Sequence, residues 1–375
     1  MRSNRRRPCL PLRFAAVALA SAALWPPAAF AQSPVDDATA RPRVIVVIGA
    51  PGTEEYATAF RNWADAWRLA AEKGGAEFTL LGADDPTGAA GSDADEQTTT
   101  PAVANAEESA DISADNDAAK LRDLLADQAA DPKADALWLV LIGHGTFDGD
   151  VAKVNLRGPD VSASQLAEWL KPIPAPVALI DCTSASAPLI SAASGPNRVV
   201  ITATKSGFEL NFARFGKYLA EAINDPAADL DKDGQTSLLE AYLTACRGVV
   251  EFYAADQRLA TEHALLDDNG DGLGTPAAWF RGIRAVQRAK EGAALDGLRA
   301  HQFHLVRSGR EADMPRAVRE RRDELELALA ALRDKKVELG DEAYYAQLKP
   351  LLVEMAQLYA DQAASDDESK AVPGS

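Results

Sequence analysis

Cysteine, histidine and positive charge are all scarce in this 375-residue chain, which holds three cysteines, four histidines and a formal net charge of −17. So few cysteines exclude a disulfide framework as the source of stability. The acidic balance excludes nucleic acid as a partner, because phosphate backbones recruit basic surfaces. Long apolar runs are missing too: the longest, at residues 14–25, falls short of the roughly 20 residues that a membrane span needs. That run follows Arg2, Arg5, Arg6, Arg7 and Arg13 and precedes Pro26, Pro27 and the small-residue pattern Ala29-Phe30-Ala31. This is the layout of a cleaved secretory signal over residues 1–31. The expectation is an exported chain, periplasmic or extracellular, with no membrane segment after cleavage. Removing those five arginines takes the charge of the mature chain from −17 to −22. Cys9 leaves with the signal, so only Cys182 and Cys246 remain. They are read either as two free thiols or as one bridge, and a bridge would remove any thiol chemistry.

What is present is apolar substance, 47% of residues, enough for one large domain with a smaller appendage. Residues 32–42 form a polar linker. Val44-Ile45-Val46-Val47-Ile48 is then a continuous apolar run, which marks a strand buried on both faces. Residues 54–73 carry Phe60, Trp63, Ala64 and Trp67 at i, i+3, i+4 and i+7, the helical spacing. Further strands are expected at 77–81, 136–142, 177–180 and 198–203, and helices at 116–128, 162–170 and 212–223. Residues 83–116 have the composition of a mobile acidic insertion. Strands alternating with helices imply an α/β fold with a mostly parallel sheet covered on both faces. After residue 285 two leucine stripes, Leu325, Leu329 and Leu332, then Leu348, Leu351, Leu352, Met355, Leu358 and Tyr359, meet at Gly340-Asp341. They predict a helical hairpin over 286–363, a surface suited to a protein partner, followed by a disordered tail at 364–375.

Two apolar strands end directly in a reactive residue: Leu137 to Ile142 runs into Gly143-His144-Gly145, and Val177 to Ile180 into Asp181-Cys182. In parallel α/β sheets the loops at the carboxyl ends of strands build the site. A thiol and an imidazole converging there can cut a peptide bond, the thiolate attacking and the imidazole managing protons. The N–H groups of Gly145 and Cys182 are the natural oxyanion donors. His263, His301 and His304 lack the strand-end context and read as capping or surface groups, with no metal-ligand spacing around them.

The paired segments resemble the clan of caspases, legumains, metacaspases and gingipains, and Cys182-Thr183-Ser184-Ala185-Ser186 is similar to the legumain form Cys-x-Ser-Gly-Ser, with Ala185 in place of glycine. The stretches Thr202-Ala203-Thr204 and Glu209-Leu210-Asn211-Phe212-Ala213 are similar to the legumain segment that contributes to the substrate pocket. The resemblance covers about residues 43–225. It implies a caspase-like three-layer α/β/α fold within a peptidase domain at 43–285. It also implies a cysteine endopeptidase working through a thioester acyl-enzyme on a peptide or protein substrate. Catalysis would fall to His144, Cys182 and Gly145, and substrate binding to Asp181, Ser184, Glu209, Asn211, Glu54 and Glu55. Legumains carry an arginine in the loop after the first strand, and this chain has none from Gly49 to Ala57. Glu54, Glu55 and Glu209 would favour a basic substrate residue, or else are solvated helix starts.

Residues 229–240 match the twelve-residue calcium loop position by position. Asp229, Asp231 and Asp233 stand at 1, 3 and 5, Gly234 at 6, Gln235 at 7 through its carbonyl, and Glu240 at 12. Ca²⁺ is the expected cofactor, structural or regulatory, and the thiol chemistry itself needs none. Asp267-Asp268-Asn269-Gly270-Asp271-Gly272 repeats the first half of that loop, but Ala278 stands where the closing acid belongs. It reads as a turn. The competing function is a catalytically silent caspase-like scaffold that binds calcium and a partner. Transpeptidation shares the acyl-enzyme and also stays open.

Overall fold

The structure, a computed structural model, describes residues 41–82, 116–131 and 135–371, with side chains up to residue 363. The expected signal, nearly all of the linker and the acidic insertion up to residue 115 lie outside the described residues. The elements in chain order are β1 (Arg43–Ile48), α1 (Glu54–Lys73), β2 (Glu77–Leu81), α2 (Asp117–Ala130), β3 (Leu137–Ile142), β4 (Gly145–Phe147), β5 (Ala152–Val154) and β6 (Val161–Ser162). Next come α3 (Ala163–Leu170), β7 (Val177–Asp181), α4 (Pro188–Ala193), β8 (Arg198–Thr202), α5 (Phe215–Ala222), α6 (Leu238–Ala255), β9 (Leu265–Asp267) and β10 (Thr275–Pro276). The chain closes with β11 (Phe280–Arg281), β12 (Arg284–Ala285), α7 (Leu298–Gln302), α8 (Gly309–Asp313), α9 (Arg316–Asp334) and α10 (Lys336–Ala371).

Seven strands form one sheet in the order β10-β9-β8-β7-β3-β1-β2. Pairing is parallel from β2 through β8, and antiparallel only where β9 joins β8 and β10 joins β9. The sheet therefore has the mixed, mostly parallel α/β architecture that the strand–helix alternation dictates. Strand residues alternate between its faces, with period two. Val44, Val46, Ile48, Trp138, Val140, Ile142, Ala178, Ile180 and Cys182 share one core with α1, α5 and α6. Ile45, Val47, Leu137, Leu139, Leu141, Val177 and Leu179 share the other with α2, α3 and α4. Both faces are covered, which is why these strands read as unbroken apolar runs.

Local signals place the helices. The Thr53 hydroxyl accepts from Tyr56 N, Glu54 and Glu55 sit in the first turn of α1, and Phe60, Trp63, Ala64 and Trp67 form its buried face. Asn116, where the insertion and the expected helix at 116–128 meet, caps α2 through Ala119 N at 2.9 Å. Ser162 caps α3 in a reciprocal box with Gln165. The helix predicted from residue 212 begins at Phe215 instead. Buried Glu262 accepts the N–H groups of Arg214 and Phe215 at 2.7 and 2.9 Å, which fixes that start and frees Phe212 to pack elsewhere. The helical hairpin is present as α9 and α10, turning through Lys335 to Gly340, where Gly340 has φ 71°. α10 continues to Ala371 where a disordered tail was expected, its alanine, glutamate and lysine being good helix formers. Unanticipated are the small antiparallel sheet β4-β5-β6 and the β11-β12 pair.

Candidate active site

β3 and β7 are neighbours in register, Leu141 opposite Asp181, so His144 and Cys182 leave adjoining strands at the same carboxyl rim. The His144 ring lies within an aromatic group, 4.9 Å from Tyr56, 5.6 Å from Phe60 and 6.1 Å from Phe212 between centroids. Its Nε2 lies 3.2 Å from the Pro51 carbonyl. A carbonyl only accepts, so that bond puts a proton on Nε2, and in the neutral ring Nδ1 is then the acceptor. Pro51 and Tyr56 were not picked out from the sequence as site residues, Phe60 was read only as part of a buried helical face, and Phe212 only within the stretch similar to a substrate-pocket segment.

The thiol behaves differently from the expectation. Cys182 is 1% exposed and belongs to the core shared with α1 and α5. The parity of β7 is the cause: Ala178, Ile180 and Cys182 face that layer, and Asp181 faces the opposite one. Gly216 of α5 closes over it, so tightly that a Cβ there would sit 2.7 Å from Cys182 Cβ and 3.0 Å from the Trp63 ring. Burial pushes the Cys182 thiol well above its ordinary value, and the neighbouring charges of Asp181 and Glu262 push it further. Among the described residues no hydrogen bond joins His144 to Cys182. Both cysteines are free, which removes the bridge. Burial likewise raises Cys246, to about 12.

The two expected oxyanion donors are engaged within the protein. Cys182 N–H donates to Leu141 O at 2.9 Å, continuing the parallel ladder. Gly145 N–H donates to Ser184 Oγ at 3.2 Å, and the same hydroxyl donates to Gly145 O at 3.2 Å. In this conformation neither N–H group is available to a substrate oxygen.

The residues expected to bind substrate divide between buried groups engaged within the protein and exposed ones, with the Glu209 carbonyl accepting Ala185 N at 2.9 Å beside Ser184. Asp181 is buried, accepts from Thr183 N at 2.9 Å, and is raised to about 6 by desolvation. It lines a narrow crevice with Ala152, Val154, Leu166 and Leu189 on the far face of the sheet. Ser184 is buried as the clamp on Gly145. Glu209 receives His263 Nδ1 at 2.5 Å and Lys205 N at 3.0 Å, so its carboxylate ties its own loop to the segment before β9. Asn211 and Glu55 are exposed, and Glu54 is exposed in an ion pair with Arg61. These glutamates fit the solvated helix start. Phe208 and Leu210 protrude beside them, Phe208 stacking edge-on with Phe147 at 5.2 Å.

The acidic loop at 229–240 folds as its sequence reads. Gly234 has φ 95°, and oxygens of Asp229, Asp231 and Asp233 lie within 4.8 Å of one another. Glu240 is buried at the start of α6, its carboxylate turned to Leu230 N at 2.7 Å and Ser237 N at 2.9 Å. The donor set is all oxygen and converges, which fits a hard divalent cation. His301, read from the sequence as remote from any metal, comes within 3.0 Å of Asp231 Oδ2. His301 and Glu240 also share a cluster with Asp231. α7 delivers that histidine across 70 residues, a contact no sequence spacing reveals.

Together these features define an α/β scaffold with an imidazole and a thiol at one rim of a mostly parallel sheet, the thiol covered. No family model matches the chain, and no curated protein matches it. Among solved structures it is similar to caspase-1 from Spodoptera frugiperda, at 10% identity and a TM-score of 0.39, covering 61% of this chain and 86% of that one. No activity is transferred on a likeness of that size. Among the described residues no helix is long and apolar enough to cross a membrane.

Proposed function

We propose that this chain is an exported caspase-like scaffold that does not turn over peptides, binds calcium at 229–240, and docks a protein partner through its helical hairpin. The covering of Cys182 carries the reading. A nucleophile must be a thiolate within reach of a carbonyl. Here the Cys182 side chain is buried with Gly216 packed against its Cβ and its pKa is raised, and both oxyanion donors are spent on Leu141 O and Ser184 Oγ. The docking face is supported by α10, where Tyr345, Leu352 and Tyr359 are exposed at seven-residue intervals. That spacing is a seam suited to pairing with another helix.

The second reading is hydrolysis by a His144–Cys182 dyad after the rim opens, and one observation favours it. The Pro51 carbonyl holds His144 Nε2, leaving Nδ1 free at the rim where Cys182 lies. In that mechanism Cys182 forms a thioester, His144 protonates the leaving amine, and water or an amine resolves the acyl group. Assay of the wild type and Cys182→Ala against a fluorogenic peptide library, with calcium and with chelator, separates the readings. Equal background for both proteins is the expected result. Turnover that disappears in Cys182→Ala and in His144→Ala overturns the scaffold reading.

A further inference from the structure

A cavity of about 410 Å³ opens at the amino ends of the parallel strands, the rim opposite His144 and Cys182. The segments entering β3 and β7 supply one side of it, and α7, the chain after it and α9 supply the other. Pro174, Pro176 and Leu327 line it over buried Trp138 and Phe303. Its size is that of a small-molecule site. Among the described residues it shares no lining group with the candidate active site or the 229–240 loop.

In a chain of net charge −17, the cavity wall gathers Arg299 from α7, Arg307 beyond it, and Arg316 and Arg319 from α9. Arg316 is paired with Glu320 at 2.6 Å. Two other carboxylates of the wall are taken as well, Asp323 by Arg322 at 2.7 Å and Glu324 by Arg321 at 2.6 Å. Asp131 and Asp135 are the remaining acids, and Asp135 accepts Ala136 N at 2.8 Å. Among the described residues Arg299, Arg307 and Arg319 make no salt bridge, and the guanidinium groups of Arg299 and Arg307 make no hydrogen bond. Arg319 donates only to the Glu311 and Met314 carbonyls. Burial lowers the Arg319 pKa and the like charge of Arg307 lowers it further, with Asp135 opposing. Burial lowers Arg299 too, against the fields of Asp268 and Asp323. A guanidinium withdrawn from water is costly until an acceptor replaces the lost hydration. The planar fork of arginine matches a carboxylate or phosphate through two parallel hydrogen bonds.

We infer that this cavity binds a small organic anion, its carboxylate or phosphate held by Arg299, Arg307 and Arg319 and its apolar body lying against Pro174, Pro176 and Leu327. Bound there, the ligand bridges the helices of the appendage to the strand ends of the sheet.

Calorimetric titration of the full chain with phenyl phosphate and with phenylacetate tests this, benzyl alcohol serving as the uncharged match. One or both anions bind once per chain with a Kd of about 1 mM or tighter, and benzyl alcohol does not. Whichever anion binds more tightly identifies the source of the acidic oxygen. Arg307→Gln removes a guanidinium that holds nothing within the protein, so the fold survives it, with circular dichroism as the check. It weakens anion binding about tenfold or more, the worth of a charged hydrogen bond, and Arg307→Lys recovers part of the loss. Arg310→Gln, exposed and outside the cavity, leaves the affinity unaltered. The inference is overturned if neither anion binds, if Arg307→Gln binds as the wild type does, or if Arg310→Gln weakens binding equally.

Discussion

If Cys182 is covered as described, electrophiles reach it only in molecules that have uncovered it. Uncovering removes the Cys182 side chain and the facing edge of Trp63 from contact around Gly216. At about 25 cal/mol per Å² the loss is roughly 2–4 kcal/mol, which leaves about one molecule in 30 to one in 1,000 open. An ordinary thiol is about a tenth thiolate at pH 7.5. While covered, Cys182 holds less than that, because burial and the charges of Asp181 and Glu262 raise its pKa. The sign is clear: folding favours the neutral thiol, so this contribution is complete below the unfolded pKa of about 8.5 and fades as pH rises above it. Iodoacetamide at pH 7.5 should therefore modify Cys182 some 30- to 1,000-fold more slowly in native protein than in urea. Cys246, raised to about 12, should be slow as well. Peptide mapping over a time course reads both rates. Modification of Cys182 at the rate of glutathione would falsify the covered state. So would saturable labelling by a peptidyl chloromethyl ketone that spares Cys246.

Gly216→Ala places a Cβ 2.7 Å from Cys182 Cβ and 3.0 Å from the Trp63 ring, and should cost about 1–3 kcal/mol in urea unfolding. Adding Cys182→Gly removes the nearest atom and should restore part of the loss; an unaltered midpoint in Gly216→Ala contradicts the contact. Asp181 is raised to about 6 by burial, so its contribution is complete below its unfolded pKa of about 3.9 and is lost as pH climbs through 6. Asp181→Asn keeps an acceptor for Thr183 N and should gain up to about 3 kcal/mol over wild type at pH 8, with little difference at pH 3.5. A gain that is the same at both pH values rules out the buried charge as its cause.

The strands of the sheet were legible because a strand covered on both faces needs apolar residues without alternation, as Leu137 to Ile142 shows. The short strands β4, β5, β6, β9, β10, β11 and β12 were not, since two or three residues carry no period. That His144 and Cys182 share a rim followed from strand order and was readable. The direction of the sulfur was half readable. Parity sets Cys182 on the face of Ile180 and Ala178, and what covers it there depends on Gly216, 34 positions away. The calcium-type loop at 229–240 was readable because its donors are consecutive. Its contact with His301 was not, being made by the tertiary fold.

The reciprocal pair of bonds between Ser184 Oγ and Gly145 couples two loops that leave different strands. One hydroxyl joins the segment after β7 to the start of β4. Withdrawing the first therefore strips the Gly145 amide of its acceptor and the Gly145 carbonyl of its donor together, while the cover over Cys182 comes from Gly216 of α5. Release of the amide and exposure of the thiol are thus separable, and a Ser184→Ala chain would lose both bonds to Gly145 at once.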